Sequence, residues 1–386
     1  MQPNARQRLA LAIAAGVAVS TVYAAQPLLV TIGADLGVGP STVGGFVTVT
    51  QLGYALGLFL LVPLGDLLDR RRLIQTQFAL LALALLVTGL AQNAAMLLAG
   101  LAAVGALAVV TQSLVAYGAA LSDPAHRGRT VGTITSGIVI GILLARTTSG
   151  ILTDLLGWRA VYLIACAVCL TISTLFTRSA RQPGVGLTYG ALLRSTVDLW
   201  REPPFRESAV RAFFVFASFS TLWTSIALPL TERGLSHTEI GAFGLIGAAG
   251  ALAAGPAGRL ADRGHGQLVT IAGSVLLATS WPATAQSLVG LAIGAVLLDL
   301  AVQAIHVTNQ SRIYRPDAGS RLIGGYMVFY SLGSGVGAIA STALYERAGW
   351  TAVCWLGAFF AGGSLVSSVR GVRRTSRASR PCGSCR

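Results

Sequence analysis

Apolar runs, each closed by charged or turn residues, follow one another along most of the chain, near 9–31, 41–64, 73–91, 95–120, 129–153, 159–177, 208–230, 238–257, 267–285, 287–311, 321–343 and 350–369. Most reach the roughly 20 residues an α-helix needs to cross hydrocarbon, and the longer ones can tilt. The pattern predicts an all-α membrane protein with twelve transmembrane helices. Between the second and third runs lies Pro63, Leu64, Gly65, Asp66, Leu67, Leu68, Asp69, Arg70. Its spacing returns in Pro256, Ala257, Gly258, Arg259, Leu260, Ala261, Asp262, Arg263. Gly157, Trp158, Arg159, Ala160 likewise returns as Gly349, Trp350, Thr351, Ala352. Both echoes come about 190 residues on, and a shared offset implies two halves of similar size. The expected division is an N-terminal six-helix bundle over 1–177, a linker over 178–207, a C-terminal six-helix bundle over 208–370 and a tail over 371–386.

Composition agrees with the pattern. Of 386 residues, 54% are hydrophobic and only 11% charged, with a mean hydropathy of +0.69, too apolar for a domain whose surface meets water. The net charge of +14 comes from 28 basic residues, all arginine. They fall in short clusters between apolar runs, which reads as membrane orientation and not as a nucleic-acid surface. Apart from Arg146, Arg159, Arg233 and Arg347, the arginines occupy the N terminus, loops or flanks after even-numbered segments, and the tail. Both termini should then be cytoplasmic. Arg6 and Arg8 before an apolar run, with Ala24 and Ala25 beyond it, imitate a signal peptide. The many later segments make a retained helix the expectation.

Cys166, Cys169 and Cys354 lie in apolar segments, and Cys382 and Cys385 form a C-x-x-C in the tail. Without a second pair they suggest neither a disulfide framework nor a metal site. No phosphate-binding loop, H-E-x-x-H or G-x-S-x-G arrangement is present, and the absence of lysine excludes the usual phosphate loop. His126, His237, His265 and His306 are scattered. An enzyme is not expected, and no cofactor or metal is implied.

Function must therefore come from what interrupts the helices. Asp299 sits near the middle of the tenth segment, and at helical spacing Asp299, Gln303, His306 and Gln310 form one polar stripe with Asn309 beside it. A carboxylate facing lipid is costly, so the stripe should face a cavity or another helix. Asp299, with His306, is the first candidate for carrying protons; a packing hydrogen bond or a charge pair is the plainer role. Arg146, deep in the fifth segment, has three roles open to it: binding an anionic substrate, holding Asp299, or reaching outward to the interface. Tyr23, Gln26, Gln51, Tyr54, Gln112, Trp223, Gln303, Asn309, Gln310, Tyr326 and Tyr330 are further candidates to line a substrate cavity, each equally suited to interhelical packing. The glycine run Gly244, Gly247, Gly250 gives a thin helix face for close packing or sliding. In the echoed turns, Gly65 and Gly258 permit close approach, and Asp69, Arg70, Asp262 and Arg263 can cap or pair across the cytoplasmic face, a candidate conformational gate.

The turn after the second segment, with Gly65, Leu67, Asp69 and Arg70 in a G-x-L-x-D-R pattern echoed by Gly258, Leu260, Asp262 and Arg263, resembles that of the major facilitator superfamily. The likeness covers about residues 9–370 and is strongest to bacterial proton-coupled efflux permeases. It implies two six-helix bundles around a central site opened alternately to either side. The family's efflux members often carry G-x-x-x-G-P-x-x-G-G in helix five. Here Gly137 and Gly141 match, Ile142 replaces the proline, and Ala145 and Arg146 replace the final pair. The arginine of helix four and the intramembrane acid of the first bundle that such members carry have no counterpart; Asp35 lies only near the end of the first segment.

The expectation is a secondary active transporter of the bacterial inner membrane, moving a small organic solute outward against protons. Proton-linked uptake or facilitated diffusion of an anionic metabolite, with Arg146 as clamp, is the alternative; a transporter-like sensor or scaffold is a third. The expected partners are the lipid bilayer, the solute and protons, with no nucleic acid, and the chain is expected to act as a monomer.

Overall fold

A computed structural model describes residues 4–123, 126–175, 188–285, 287–313 and 319–378. Part of the linker and the tail cysteines, Cys382 and Cys385, lie outside these residues. Among the described residues, ten helical stretches are long and apolar enough to cross a membrane. They are α1 (Ala5–Asp35), α2 (Thr42–Asp66), α3 (Arg70–Gly89), α4 (Ala94–Ala120), α5 (Arg127–Leu156), α6 (Trp158–Leu175), α8 (Pro203–Glu232), α9 (His237–Thr284), α10 (Leu288–Ile313) and α11 (Leu322–Val369). A short helix, α7 (Tyr189–Asp198), lies between α6 and α8. The sequence predicts twelve segments; 238–257 and 267–285 fall on α9, and 321–343 and 350–369 on α11. Each of these 48-residue stretches contains one left-handed glycine, Gly264 at φ 84° and Gly349 at φ 70°. Gly157, the earlier member of the Gly-Trp echo, is also left-handed at φ 81°, a conformation that glycine adopts at no steric cost.

Two helical domains form around separate cores. One gathers Leu28, Phe78, Leu101 and Tyr162 from α1, α3, α4 and α6. The other gathers Leu222, Leu277, Leu298 and Ala361 from α8 to α11. Leu155, Leu252 and Trp355 point outward and are exposed, as expected where the solvent is hydrocarbon and every backbone polar group must be satisfied within a helix. Capping fixes the helix starts. Asn4 and Gln7 form a reciprocal box before α1, Asn93 accepts from the Met96 amide at 2.9 Å before α4, and Pro203 occupies the first turn of α8, where its missing N–H is no loss.

The two charged turns are not alike. In the first, Asp69 accepts from the Arg71 and Arg72 amides at 3.0 Å each, and Arg70 donates to the Gly65 carbonyl at 2.9 Å and Asp66 at 3.0 Å. These bonds stay within the turn. In the second, the chain kinks within Ala261–His265, and the exposed Asp262 and Arg263 make no side-chain hydrogen bond or ion pair among the described residues. The echo therefore carries over as spacing; the capping does not repeat, because the left-handed Gly264, two residues after Asp262, turns the backbone where the first copy is already in α3. Gly258 packs near Val307.

Helix α7 joins the domains. The Tyr189 hydroxyl donates to the Leu60 carbonyl of α2 at 2.8 Å, and Trp200, in the 3₁₀ turn Leu199–Arg201 that follows α7, stacks on Phe329 of α11 at 4.9 Å and 15°. The segment 189–200 thus touches both halves.

Close backbone approach sets the α1–α5 crossing. A Cβ on Gly137 would meet the Ala12 Cα at 2.8 Å, whereas one on Gly132 would meet nothing. Backbone cannot yield as a side-chain tip can. We expect Gly137→Val to lower the thermal unfolding midpoint of the purified protein by an amount equivalent to about 1–3 kcal/mol, with Gly132→Val close to native; equal midpoints would contradict the close crossing.

Candidate functional site

Two opposite charges from different domains meet on one indole. Arg146 of α5 places its guanidinium carbon 4.0 Å from the centroid of the Trp223 ring. Trp223 of α8 donates from Nε1 to Asp299 Oδ1 of α10 at 3.2 Å. All three are buried. Arg146 also donates from Nε to Gln26 Oε1 at 2.8 Å and lies 5.8 Å and 5.9 Å from the ring centroids of Tyr23 and Phe219. It does not reach outward to the interface. The face of an aromatic ring is its negative pole and the indole N–H its positive edge, so Trp223 offers each charge the polarity it needs. Neither charge is fully satisfied: Arg146 Nη2 and Asp299 Oδ2 have no hydrogen-bond partner among the described residues.

Glycines make room for this arrangement. A Cβ on Gly244 would meet the Arg146 side chain at 2.8 Å, one on Gly247 would meet Asp299 Oδ2 at 2.8 Å, and one on Gly250 the Asp299 carbonyl at 2.9 Å. Gly244–Gly247 is a 3₁₀ turn, in which residues three apart eclipse one another. The thin face of α9 thereby packs against Arg146 and Asp299 together.

The other candidates extend from this centre. Tyr23 and Tyr330 are hydrogen-bonded through their hydroxyls across the two domains. Tyr54 shares an apolar cluster with Tyr23 and Ala145, and Gln112 lies near its hydroxyl. Gln51 is buried on α2, facing Gly335 of α11, with Oε1 unpaired. On α10, Gln303 packs on Gly250, and His306 bonds the Tyr326 hydroxyl through Nδ1 at 3.0 Å while its ring meets Phe216 at 5.2 Å. Asn309 bonds Arg211 of α8 at 2.6 Å. Gln310 makes no side-chain hydrogen bond among the described residues. Asp299, Gln303, His306 and Asn309 therefore lie along a single interior line of α10.

Arg211 is the residue that sequence reasoning missed. Grouped with the flanking arginines, it is in fact fully buried. The signal was Pro203 and Pro204: a helix beginning there places Arg211 about 12 Å inside it at 1.5 Å per residue.

At the Asp35 end the domains are tied. Asp154 of α5 accepts from the Thr238 amide at 2.8 Å, the Thr238 hydroxyl at 2.6 Å and His237 Nδ1 at 2.6 Å, and Thr31 of α1 bonds the other ring nitrogen. Asp35 pairs with Arg159 at 2.6 Å. A cavity of about 850 Å³ opens beside this end, lined by Glu232, Arg233, Tyr345, Arg347 and Trp350.

Comparison with known proteins places this architecture. The profile of the Major Facilitator Superfamily matches residues 11–297 and 209–381. The chain belongs to the Major Facilitator Superfamily. It is 42% identical over 378 residues to the uncharacterized transporter YgaY of Escherichia coli O157:H7, covering 95% of this chain and 96% of that one. It is 27% identical over 376 residues to the chloramphenicol resistance protein of Streptomyces lividans, covering 92% of each. A solved POT family transporter in complex with a thioalcohol-conjugated peptide shares the fold, with a TM-score of 0.75 at 9% identity over 97% of this chain and 96% of that one. This superfamily member is a multi-pass secondary transporter working by alternating access in a lipid bilayer on a small solute, and not an enzyme.

A buried charge stripped of its opposite partner typically costs about 3–5 kcal/mol, whereas replacing both by apolar groups can be nearly neutral. Arg146→Met should lower stability on that scale, and Arg146→Met with Asp299→Leu should recover most of the loss. Unfolding midpoints of the purified variants, read as a double-mutant cycle, check this; additive losses would mean the two charges do not interact.

Proposed function

We propose that the chain exports a small organic solute against proton entry, from the bacterial inner membrane, as a monomer. In this reading, α9 and α11 each cross twice. A straight 48-residue helix would be about 72 Å long, more than twice the roughly 30 Å of hydrocarbon. The left-handed Gly264 and Gly349 are the natural reversal points. Twelve crossings follow, in bundles 1–177 and 208–370, with linker 178–207, tail 371–386 and both termini cytoplasmic, so that the Asp35 end faces outward.

The observation that carries the proposal is the contact of Arg146 and Asp299 with opposite poles of Trp223. Arg146 belongs to the first bundle, Asp299 and Trp223 to the second. A proton on Asp299 removes its attraction for the guanidinium and loosens the tie between bundles; loss of the proton restores it. Arginine stays charged throughout and cannot itself carry the proton. His306 extends the same line and can relay protons towards the opposite end. Tyr23, Tyr330, Phe219 and Trp223 supply flat surfaces with hydroxyl and N–H groups suited to an amphiphilic solute. The relative named for chloramphenicol resistance supports outward movement of such a compound.

A second reading is uptake of an anionic metabolite, favoured by the unpaired Nη2 of Arg146. Substrate-screened transport in proteoliposomes, with an imposed pH gradient and an internal pH dye, separates the two. The native protein should move solute and protons in opposite directions, and Asp299→Asn should still move solute but lose proton coupling. Solute and protons moving together would favour the uptake reading, and unchanged coupling in Asp299→Asn would remove Asp299 from the mechanism.

A further inference from the structure

A second buried arginine stands apart from the Arg146 centre. Ten residues separate Asp299 from Asn309 on α10, which is about 15 Å along the axis. There Arg211 is fully buried and bonded only through Nη1, to Asn309 Oδ1 at 2.6 Å. Its Nε and Nη2 have no partner among the described residues. These two nitrogens form the side-on edge of the guanidinium, whose parallel N–H groups match two oxygens of a carboxylate or phosphate. Asn309 Nδ2 and, one turn before Arg211, the Ser208 hydroxyl are also buried and without partners. The unmatched groups are therefore mainly donors.

The nearest candidate counter-charge is already engaged. Glu207 pairs with Arg312 at 3.2 Å, and Arg312 also bonds Gln267. Two guanidinium groups and one carboxylate leave one net positive charge. Around it Phe205, Ala209, Ala212, Ile313, Leu322 and Tyr326 form a buried apolar cluster. That surrounding strengthens a charge-assisted contact and penalises an uncompensated one.

We infer that Arg211 and Asn309 form an oxyanion-binding site between α8 and α10, which holds a carboxylate or phosphate group side-on through Arg211 Nε and Nη2. The group can belong to a free anion or to an anionic lipid headgroup. The site is separate from the proposed transport centre, and its occupant neutralises the positive charge where α8 meets the linker residue Leu199.

Thermal unfolding of the delipidated protein in neutral detergent tests this without any transport measurement. Inorganic phosphate, compared with chloride at matched ionic strength, should raise the native midpoint by several degrees and saturate. Arg211→Lys keeps the charge but loses the fork, so half-saturation should move at least tenfold higher. Asn309→Asp supplies a carboxylate from within the chain; it should fold with a midpoint at or above native and no longer respond. A second arm compares nanodiscs of phosphatidylglycerol and phosphatidylcholine. A rise with phosphatidylglycerol alone, absent in Asn309→Asp, would place the oxyanion on a lipid headgroup. No rise in the native protein with either source, or an undiminished rise in Asn309→Asp, would overturn the site.

Discussion

The interior of this transporter is organised by one constraint: two opposite charges from different domains must be kept out of water without being allowed to collapse into a simple ion pair. Trp223 meets it by presenting its negative face to Arg146 and its N–H edge to Asp299. A desolvated cation on an aromatic face is worth about 2 kcal/mol or more, enough to hold the guanidinium yet well short of a direct buried salt bridge. In the proposed mechanism such a weak bond between the bundles is broken on each cycle. The remaining features of the centre follow from the geometry. Gly244 and Gly247 make room for the charges, Gln26 takes the guanidinium Nε, and Tyr23 and Tyr330 close the aromatic wall.

Much of this was legible before any coordinates. A charge in an apolar segment needs a partner, and so Asp299 and Arg146 declared themselves by depth alone. The glycine run in α9 was equally visible. What connects them was not, because helical periodicity gives the face of a residue relative to its own helix and says nothing about how that helix is rotated in the bundle. Trp223 therefore read as one aromatic among several. Arg211 escaped for a different reason: positive charge near a helix start is ordinarily an interface anchor, and only the Pro203 start reveals how deep it lies. The second charged turn misled in the opposite sense, since matching spacing at Asp262 and Arg263 does not reproduce the N-cap that makes Asp69 structural.

The contacts between domains are unevenly distributed in kind. At the Asp35 end they are polar and directional, with Asp154 accepting three hydrogen bonds from His237 and Thr238. Midway they are electrostatic and aromatic. Along α2 and α11 they rest on small residues, Gly44 against Thr342 and Thr48 against Gly335. Directional bonds favour one geometry, while small-residue faces tolerate a range of them. Opening at the Asp35 end would thus be a discrete event, with α2 and α11 serving as the surface about which it turns.

The short helix α7 adds a restriction on such turning. It is moored to the first domain by a hydrogen bond from Tyr189 to the Leu60 carbonyl and, through the turn that follows it, to the second by the flat stack of Trp200 on Phe329. The first mooring is a point and the second a plane. A hydrogen bond weakens steeply once its angle departs from linear, whereas offset-stacked rings remain in favourable contact over a range of displacements. If the domains rock, the linker should travel with the second, in whose core Leu199 is buried, and the single Tyr189 bond becomes a tether whose reach sets how far the swing can go.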